Sequence, residues 1–536
     1  MKNWPRQKKI LLDLVFLFLL LGVSFLFAQK YINFSTVPNE DAAILMRYAK
    51  NLGEGHGIVW NLGEKPVDGG TDFLSLVVIA GLYKAGLPLE KAVRSLDYFS
   101  HFLTLFLIYS AARKLLKSPP VVGFISAFFF AIGPGLFYTA AYFSTPFFAL
   151  FACLAWIMAL AIMQGKAGHG YSALFAILGL ITGLIRPEGV ILAGLMLISI
   201  IIVLGFRKAR LPILWFASVI LLLGGTYLLW RWNYFGYPLP NPFYKKGGGQ
   251  LYFDSLRRSL LYVIFMGIPF WWIYLVGLFT RTQNRYAIAC LLPVFGFATA
   301  FILLSDETNF AARFQYAVFS IILISWYPLA KDLPIWQKKT SLMKMLVLKK
   351  ALWLALIVAG TVMFTAIYVL AYANVISNIQ QAFIFKGRYD VAMYLHHYES
   401  KGYWMATSEA GLLPLYSGWN AVDTWGLNDQ WIAHHGVITA EYLNVYHPEL
   451  IVFHAYFSPQ AKDCPDPKPD WSRMTSVLQT YAEENSYTLA GVFGVDSCDT
   501  NYYYVRNDFA DSAELIEAIR GFDYWIGDQK SQNYAP

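Results

Sequence analysis

Residues 38–61 read PNEDAAILMRYAKNLGEGHGIVWN and follow a strongly apolar segment that runs from Ile10 to Ile32. The stretch begins with two adjacent carboxylates, Glu40 and Asp41. Asn39 before them is a good helix N-cap, and the helix dipole favours acids in the first turn. Spacing alone therefore leaves two interpretations open: the pair is an ordinary helix start, or it is a functional carboxylate pair at the end of an apolar segment.

The composition indicates a polytopic membrane protein. Of the 536 residues, 57% are hydrophobic and only 14% are charged, whereas soluble domains carry about 25% charged residues. The net charge of +8 does not indicate nucleic-acid binding, because the basic residues lie between apolar segments, as the positive-inside rule describes. The first apolar segment is too long for a signal peptide, so we predict an uncleaved first span with a cytoplasmic N-terminus.

Apolar runs of about 20 residues predict an all-α membrane part with about 11 transmembrane helices. Residues 73–87 are apolar but short and contain Lys84, so we predict an interfacial helix in the first outer loop and not a span. The basic loops then fall on the cytoplasmic side. After the first helix, the predicted spans are 93–116, 120–142, 145–164, 170–187, 189–206, 211–231, 255–279, 286–304, 314–331 and 351–373.

The chain has two predicted parts. They are a transmembrane catalytic domain over residues 1–373 and an extracytoplasmic mixed α/β domain over residues 374–536. In the second part, the short apolar runs ELIVFHA, YTLAGVFGV and NYYYVRN predict strands, because Gly, Pro, Asn or Asp bound them. Cys464 and Cys498 also lie there. They could form a disulfide if this part faces an oxidising compartment.

Several cations lie on the predicted outer side, against the positive-inside bias. Such groups are costly near the bilayer unless they are paired or line a wet cavity, and Arg and Lys together suit a lipid phosphate. The candidates are Arg186, Arg231, Lys245 and Arg313. Each has a local alternative: Arg186 pairs with Glu188, Arg231 snorkels to the interface, Lys245 lies in a solvated loop, and Arg313 pairs with Asp306 or Glu307.

Five longer strings occur in a fixed order between residues 39 and 430. They are EDAAILMRYAKNLGEGHGIVWNLGE, GGTDFL, IRPEG, RWNYFGYPLPNPFYKK and AGLLPLYSGWNAVDTWGLND. In these strings the chain resembles the GT-C membrane glycosyltransferases, and among them most closely the cell-wall terminal arabinofuranosyltransferases. The resemblance implies a multi-pass cell-membrane enzyme. It would transfer a sugar from a polyprenyl-phosphate donor to a glycan, lipid or other envelope acceptor at the outer face, with inversion. Residues 1–373 would be its GT-C catalytic domain, and residues 374–536 could bind the acceptor or another glycan.

The resemblance also implies roles for the candidate residues. One of Glu40 and Asp41 would be the general base on the acceptor hydroxyl. The family usually has Asp first, which leaves the choice open, and the shorter arm favours Asp41. Arg231 and Lys245 match motif positions and are the first candidates for the donor phosphate, with Arg186 and Arg313 second. The candidate substrate-binding residues are Tyr244, Asn241, Asp423 and Trp425, although Trp425 could instead belong to the core of the outer domain.

Two further expectations concern the substrate and cofactors. Ser144 stands where the family often has Glu, which implies a different sugar. No His, Asp and Glu set has metal-ligand spacing, so we predict no required metal or other cofactor. Two alternatives to an enzyme are a flippase of lipid-linked saccharide, which would favour charges near mid-membrane in related halves, and a non-catalytic envelope assembly protein.

Overall fold

The computed structural model is mostly helical, with a small sheet near the C-terminus. It describes residues 6–246, 249–305, 309–331, 387–455, 469–496, 499–522, 524–526 and 529–531, together with isolated helical positions between 363 and 374. Cys464 and Cys498 lie outside the described residues, as does most of the predicted span 351–373. The possible disulfide and that span therefore stay predictions.

Helices make up most of the helical part, which we define as the described residues from 6 to 331. In chain order they are Arg6–Tyr31, Glu40–Gly53, Phe73–Lys84, Leu89–Ser110, Pro120–Ala131, Gly135–Ala140, Thr145–Met163, His169–Ile185, Gly189–Leu204, Arg210–Val219, Gly225–Phe235, Asn241–Lys246, Phe253–Gly267, Trp271–Phe279, Asn284–Ala300 and Phe319–Lys331. Short π and 3₁₀ turns extend or join several of them.

Six helical segments of the described chain are long and apolar enough to cross a membrane, and a bent helix pair would make a seventh. The predicted count of about 11 spans is not confirmed. Predicted spans 170–187 and 189–206 correspond to helices of 17 and 16 residues, which are shorter than the roughly 20 residues that a bilayer requires. Predicted span 255–279 is broken by a 95° bend.

The first loop, residues 32–88, contains two helices. The Glu40–Gly53 helix begins at Asn39, whose side chain accepts a hydrogen bond from the Asp41 N–H at 3.0 Å, so the predicted N-cap is confirmed. Phe73–Lys84 is a helix of 12 residues, too short to span, which agrees with the prediction for residues 73–87.

The second part, which we call the sheet domain, covers the described residues from 387 to 531. Its strands are β1 (Trp404–Thr407), β2 (Asn420–Asp423), β3 (Leu450–Ala455), β4 (Tyr487–Asp496) and β5 (Asp499–Arg506), in the order β2-β1-β3-β5-β4. β1 pairs in parallel with β2 and β3, and β5 pairs antiparallel with β3 and β4. A ribbon of Tyr524–Ile526 and Gln529–Ser531 follows. The three strands predicted from apolar runs are confirmed; β1 and β2 are four-residue strands that no such run announced.

The helices of the sheet domain are short except for one of 16 residues. They are Gly387–Leu395, Leu412–Ser417, Gln430–His435, Ala440–Tyr446, Pro469–Glu484 and Ser512–Gly521. The two faces of the sheet belong to different cores, because successive strand residues point to opposite faces. Leu450 and Val452 pack in the core that extends into the helical part, whereas Ile451 and Phe453 pack with the Pro469–Glu484 helix.

Arg47 joins the first loop to the sheet domain. Its buried guanidinium donates to the backbone oxygens of Trp60 and Trp419, both at 2.9 Å, and to that of Pro414. It also donates to Asn61 Oδ1 at 3.1 Å and stacks on the Trp60 ring at 4.7 Å. Burial lowers the pKa of Arg47 to about 10, so the group stays charged at neutral pH.

A second set of bonds from the same loop covers the edge strand β2. Asn61 Oδ1 accepts from the Ala421 N–H at 2.9 Å, and Asn61 Nδ2 donates to the Ala421 oxygen at 3.1 Å. Trp60 Nε1 donates to the same oxygen at 2.9 Å. The loop therefore satisfies backbone groups that an edge strand would otherwise expose.

We predict that Arg47→Met strongly destabilises the protein. The substitution keeps the apolar volume but leaves buried carbonyl oxygens without a donor, at about 1–3 kcal/mol for each unsatisfied group. The unfolding midpoint in detergent should fall by several degrees. Lys50→Met is the control, because Lys50 lies on the same helix with a half-buried side chain. Equal midpoints for the two variants would contradict a joining role for Arg47.

Candidate active site

A cavity of about 360 Å³ lies beside the start of the Glu40–Gly53 helix. We call it the Asp41 cavity. Much of its wall is apolar and comes from both the first loop and the later helices, for example Ile44, Leu239 and Leu304. Its charged lining consists of three acids and two arginines: Asp41, Asp72, Arg186, Glu188 and Arg313.

Asp41 and Arg313 form an ion pair in this cavity. Arg313 Nη2 donates to Asp41 Oδ2, and the guanidinium lies 4.0 Å from the centre of the Phe143 ring. The Arg313 side chain is 8% exposed, whereas the Asp41 side chain is 26% exposed. Asp41 is therefore partly accessible from the cavity that it lines, while Arg313 balances its charge. The alternative partners Asp306 and Glu307 lie outside the described residues.

Arg186 forms the second cationic centre. Its Nε donates to Glu188 Oε1 at 2.7 Å, and its Nη1 lies 3.4 Å from Asp72 Oδ1. Burial lowers the pKa of Arg186, but the carboxylates of Glu188 and Asp72 outweigh this and raise it above its ordinary value. Ser144 donates its hydroxyl proton to Asp72 Oδ2. The predicted Arg186–Glu188 pair is present, but it belongs to a larger cluster in the cavity.

Glu40 points away from the cavity, toward the sheet domain. Its Oε2 accepts hydrogen bonds from the N–H groups of Gly411 and Leu412, both at 2.9 Å. Its Oε1 lies 3.3 Å from Arg388 Nη1. A Cβ atom at position 411 would lie 2.3 Å from the Glu40 backbone oxygen, so this close approach requires glycine. The two adjacent acids therefore have different surroundings.

Arg231 and Lys245 do not line the Asp41 cavity. Arg231 is buried and binds Asp68 through two hydrogen bonds, Nε to Oδ2 at 2.5 Å and Nη2 to Oδ1 at 2.7 Å. Burial raises the pKa of Asp68, and Arg231 opposes the rise. Lys245 donates to the Gly436 oxygen at 2.6 Å and lies 4.4 Å from the centre of the Trp425 ring. Their predicted phosphate contacts stay predictions.

The four candidate substrate-binding residues are dispersed. Asn241 is buried, and its backbone N–H donates to the backbone oxygen of Asp68 at 3.0 Å. The Tyr244 ring lies 4.4 Å from that of His434. Neither lines the Asp41 cavity, although Pro242 and Phe243 between them do.

Asp423 and Trp425 lie at the end of β2. The Asp423 carboxylate accepts hydrogen bonds from three backbone N–H groups and from Asn428 Nδ2, so it organises the loop that follows the strand. Trp425 packs against Trp471 at 4.9 Å between ring centres. Their contacts with substrate remain predictions, and the contacts present are those of a structural role.

Two cavity residues, Asp72 and Glu188, were not among the predicted site residues. Glu188 was considered only as a local partner of Arg186. Asp72 lies in the string GGTDFL, two positions after Gly70, which lines the same cavity. Its partners Ser144 and Arg186 are more than 70 positions away, so sequence spacing could not show the cluster.

Comparison with known proteins shows which fold this is. Residues 377–508 match a family model described as a domain of unknown function, DUF8728. No curated protein sequence matches.

Solved structures match over nearly the whole chain. ArnT from Cupriavidus metallidurans, bound to undecaprenyl phosphate, is 12% identical with a TM-score of 0.55, over 93% of this chain and 98% of that one. The oligosaccharyltransferase of Archaeoglobus fulgidus in its apo form is 12% identical with a TM-score of 0.50, over 93% and 74%. The arabinofuranosyltransferase AftD from Mycobacteria is 15% identical with a TM-score of 0.44, over 92% and 40%.

ArnT and the oligosaccharyltransferase are GT-C glycosyltransferases. The matched lengths include both the helical part and the sheet domain. The resemblance found in the sequence is therefore confirmed for the fold: the chain has the architecture of the GT-C glycosyltransferases, at low sequence identity.

Proposed function

We propose that this protein is a membrane glycosyltransferase that transfers a sugar from a polyprenyl-phosphate donor to a cell-envelope acceptor. The observation that carries the proposal is the Asp41–Arg313 pair in a cavity with apolar walls, within a GT-C fold. A partly exposed carboxylate that lines the same cavity as two guanidinium groups suits a reaction that takes a proton from a hydroxyl and releases a phosphate. ArnT, of the same fold, was solved with undecaprenyl phosphate bound.

Asp41 is the proposed general base. It lines the cavity and pairs there with Arg313, which also holds the carboxylate in place. The Glu40 carboxylate instead accepts hydrogen bonds from two backbone N–H groups and pairs with Arg388, and it does not line the cavity. We therefore propose that Glu40 positions the helix and that Asp41 takes part in the reaction.

Arg186 and Arg313 are the proposed phosphate ligands. A guanidinium carries five N–H donors, and one carboxylate uses at most two of them, so an arginine in an ion pair can also bind a phosphate oxygen. Both side chains line the Asp41 cavity, whereas Arg231 is committed to Asp68 outside it. This ranking reverses the preference that the sequence motifs gave to Arg231 and Lys245.

The reaction follows from these positions as a single displacement. The acceptor oxygen attacks the anomeric carbon as Asp41 takes its proton, and the bond from that carbon to the phosphate oxygen breaks. The leaving polyprenyl phosphate retains the bonding electron pair. Arg186 and Arg313 stabilise the charge that develops on it, a contribution that is usually large in a site shielded from water. One base and one displacement give inversion at the anomeric carbon.

We expect Asp41→Asn to lower the transfer rate by about 10²–10⁴-fold, because general-base help is worth that much. Glu40→Gln should keep most of the rate, since its amide oxygen can still accept from the Gly411 and Leu412 N–H groups. The measurement is single-turnover transfer from a panel of polyprenyl-phosphate sugars by purified protein. If Glu40→Gln were inactive and Asp41→Asn active, Glu40 would be the base and Asp41 the positioning residue.

A second prediction separates the arginines. Arg186→Ala should weaken polyprenyl phosphate binding about tenfold or more, because a charge-assisted contact is lost. The double variant Asp68→Asn/Arg231→Met removes a buried ion pair as a unit, which costs less than removing one partner, and it should bind polyprenyl phosphate as the native protein does. The single variant Asp68→Asn should be the least stable of the three. Loss of binding only in the double variant would restore Arg231 as the phosphate ligand.

We also predict that transfer survives chelation. The arginines supply the positive charge that a divalent ion would otherwise bring to the leaving phosphate. Transfer should be unchanged after dialysis against EDTA and should not rise when Mg²⁺ or Mn²⁺ is added back. Activity that EDTA abolishes and either ion restores would show that a metal is required.

A further inference from the structure

A second cavity, of about 550 Å³, lies between the first loop and the sheet domain. We call it the aromatic cavity, because Trp404, Trp431, Tyr442 and Tyr446 line it. None of the roles assigned above uses it. Its size is within the range of about 300–1,000 Å³ that is usual for small-ligand sites.

The aromatic rings are arranged in stacks. Trp431 is parallel to Tyr442, with 4.5 Å between ring centres and 11° between planes, and to His435, at 4.6 Å and 12°. Trp404 packs against Tyr446 at 4.7 Å. The side chains of Trp404, Trp431 and Tyr446 are only partly buried. Solvent-accessible aromatic groups of this size bind rigid ligands that have apolar faces.

Amides and acids are prominent among the polar groups around the rings. Asn428 and Gln430 line the cavity together with Asp429 and Glu64. Asn428 is 3% exposed, and its Oδ1 has no hydrogen-bond partner among the described residues. A buried acceptor without a donor is costly. Planar acceptors beside aromatic faces fit the hydroxyl groups and C–H faces of sugar rings.

The charged side chains of the aromatic cavity indicate which class of ligand it can bind. The described lining carries two carboxylates, of Glu64 and Asp429, and one ammonium group, of Lys65, and it contains no arginine. This contrasts with the Asp41 cavity, where two arginines meet. A phosphate or an acidic sugar would be repelled by the carboxylates, so the class that fits is a neutral saccharide.

The two cavities lie on either side of the same three stretches of chain. Val67, Tyr237 and Asn428 face the aromatic cavity. Their near neighbours Gly69, Leu239 and Leu427 face the Asp41 cavity. At most one residue in each stretch therefore separates the lining of the aromatic cavity from that of the proposed donor site, a placement suited to an acceptor that must bring a hydroxyl group to the donor.

We infer that the aromatic cavity binds a neutral oligosaccharide segment of the acceptor. The inference rests on the proposed transfer reaction. It assigns the acceptor to a chemical class, a glycan that the protein holds by its sugar rings. The acceptor's terminal sugar would extend past the shared stretches toward Asp41.

Binding to full-length protein in detergent tests the inference without turnover. The probes are soluble neutral glucan, mannan and arabinan oligosaccharides, measured by calorimetry, and polyprenyl phosphate measured in parallel. Tyr446→Ala and Trp431→Ala should each weaken oligosaccharide binding by about tenfold or more, ~1.4 kcal/mol, and leave polyprenyl phosphate binding unchanged. Trp471→Ala is the matched control, because it removes an indole of the same domain outside the cavity lining. If Trp431→Ala does not fold, Tyr446→Ala and Glu64→Ala, at an exposed position, decide the outcome.

Each result has one meaning. Oligosaccharide binding that is unchanged in the cavity variants, or equally weakened in Trp471→Ala, overturns the inference, as does no binding of any probe at millimolar concentration. Arg186→Ala distinguishes the proposed reaction, because it should lose polyprenyl phosphate binding and keep oligosaccharide binding. A protein that binds oligosaccharide through this cavity but neither binds polyprenyl phosphate nor transfers sugar would support the cavity and overturn the proposed function.

Discussion

The buried Arg47 guanidinium fixes the Glu40–Gly53 helix between the helical part and the sheet domain, and both cavities depend on that placement. Successive residues of a helix point about 100° apart around its axis. With the helix held by Arg47, the adjacent residues Glu40 and Asp41 cannot face the same way. Glu40 reaches the backbone of residues 411 and 412, and Asp41 faces the cavity. The contacts of Arg47 therefore place two neighbouring carboxylates, of Glu40 and Asp41, in different surroundings.

Charge compensation explains why the Asp41 cavity contains so many ionised groups. Arg313 is buried and Arg186 is largely buried, and an isolated buried charge would be expensive. Asp41, Asp72 and Glu188 reduce that cost by pairing with them. The same carboxylates keep the guanidinium groups in fixed positions before any ligand arrives. A preorganised site of this kind has little reorganisation to complete during a reaction.

The sequence was informative wherever local chemistry decides. The Asn39 cap, the short 73–84 helix and the three apolar strands all follow from patterns within about ten residues. Sequence patterns did not predict contacts between segments that are distant along the chain. The pair of Asp41 and Arg313 spans 272 positions, and that of Arg231 and Asp68 spans 163, so no spacing rule relates them. Strands of four residues, such as β1 and β2, are too short for an alternating pattern to stand out.

The way the first loop covers β2 has a consequence for how the protein can be handled. β2 is the edge of the five-stranded sheet, and Trp60 and Asn61 occupy its free backbone groups. One face of the same sheet shares its core with the helical part. A truncated fragment that begins at the sheet domain would expose both an open strand edge and an apolar face. Such surfaces on different molecules pair with one another, so the fragment would tend to aggregate. The sheet domain is therefore better prepared together with the helical part than as a separate fragment.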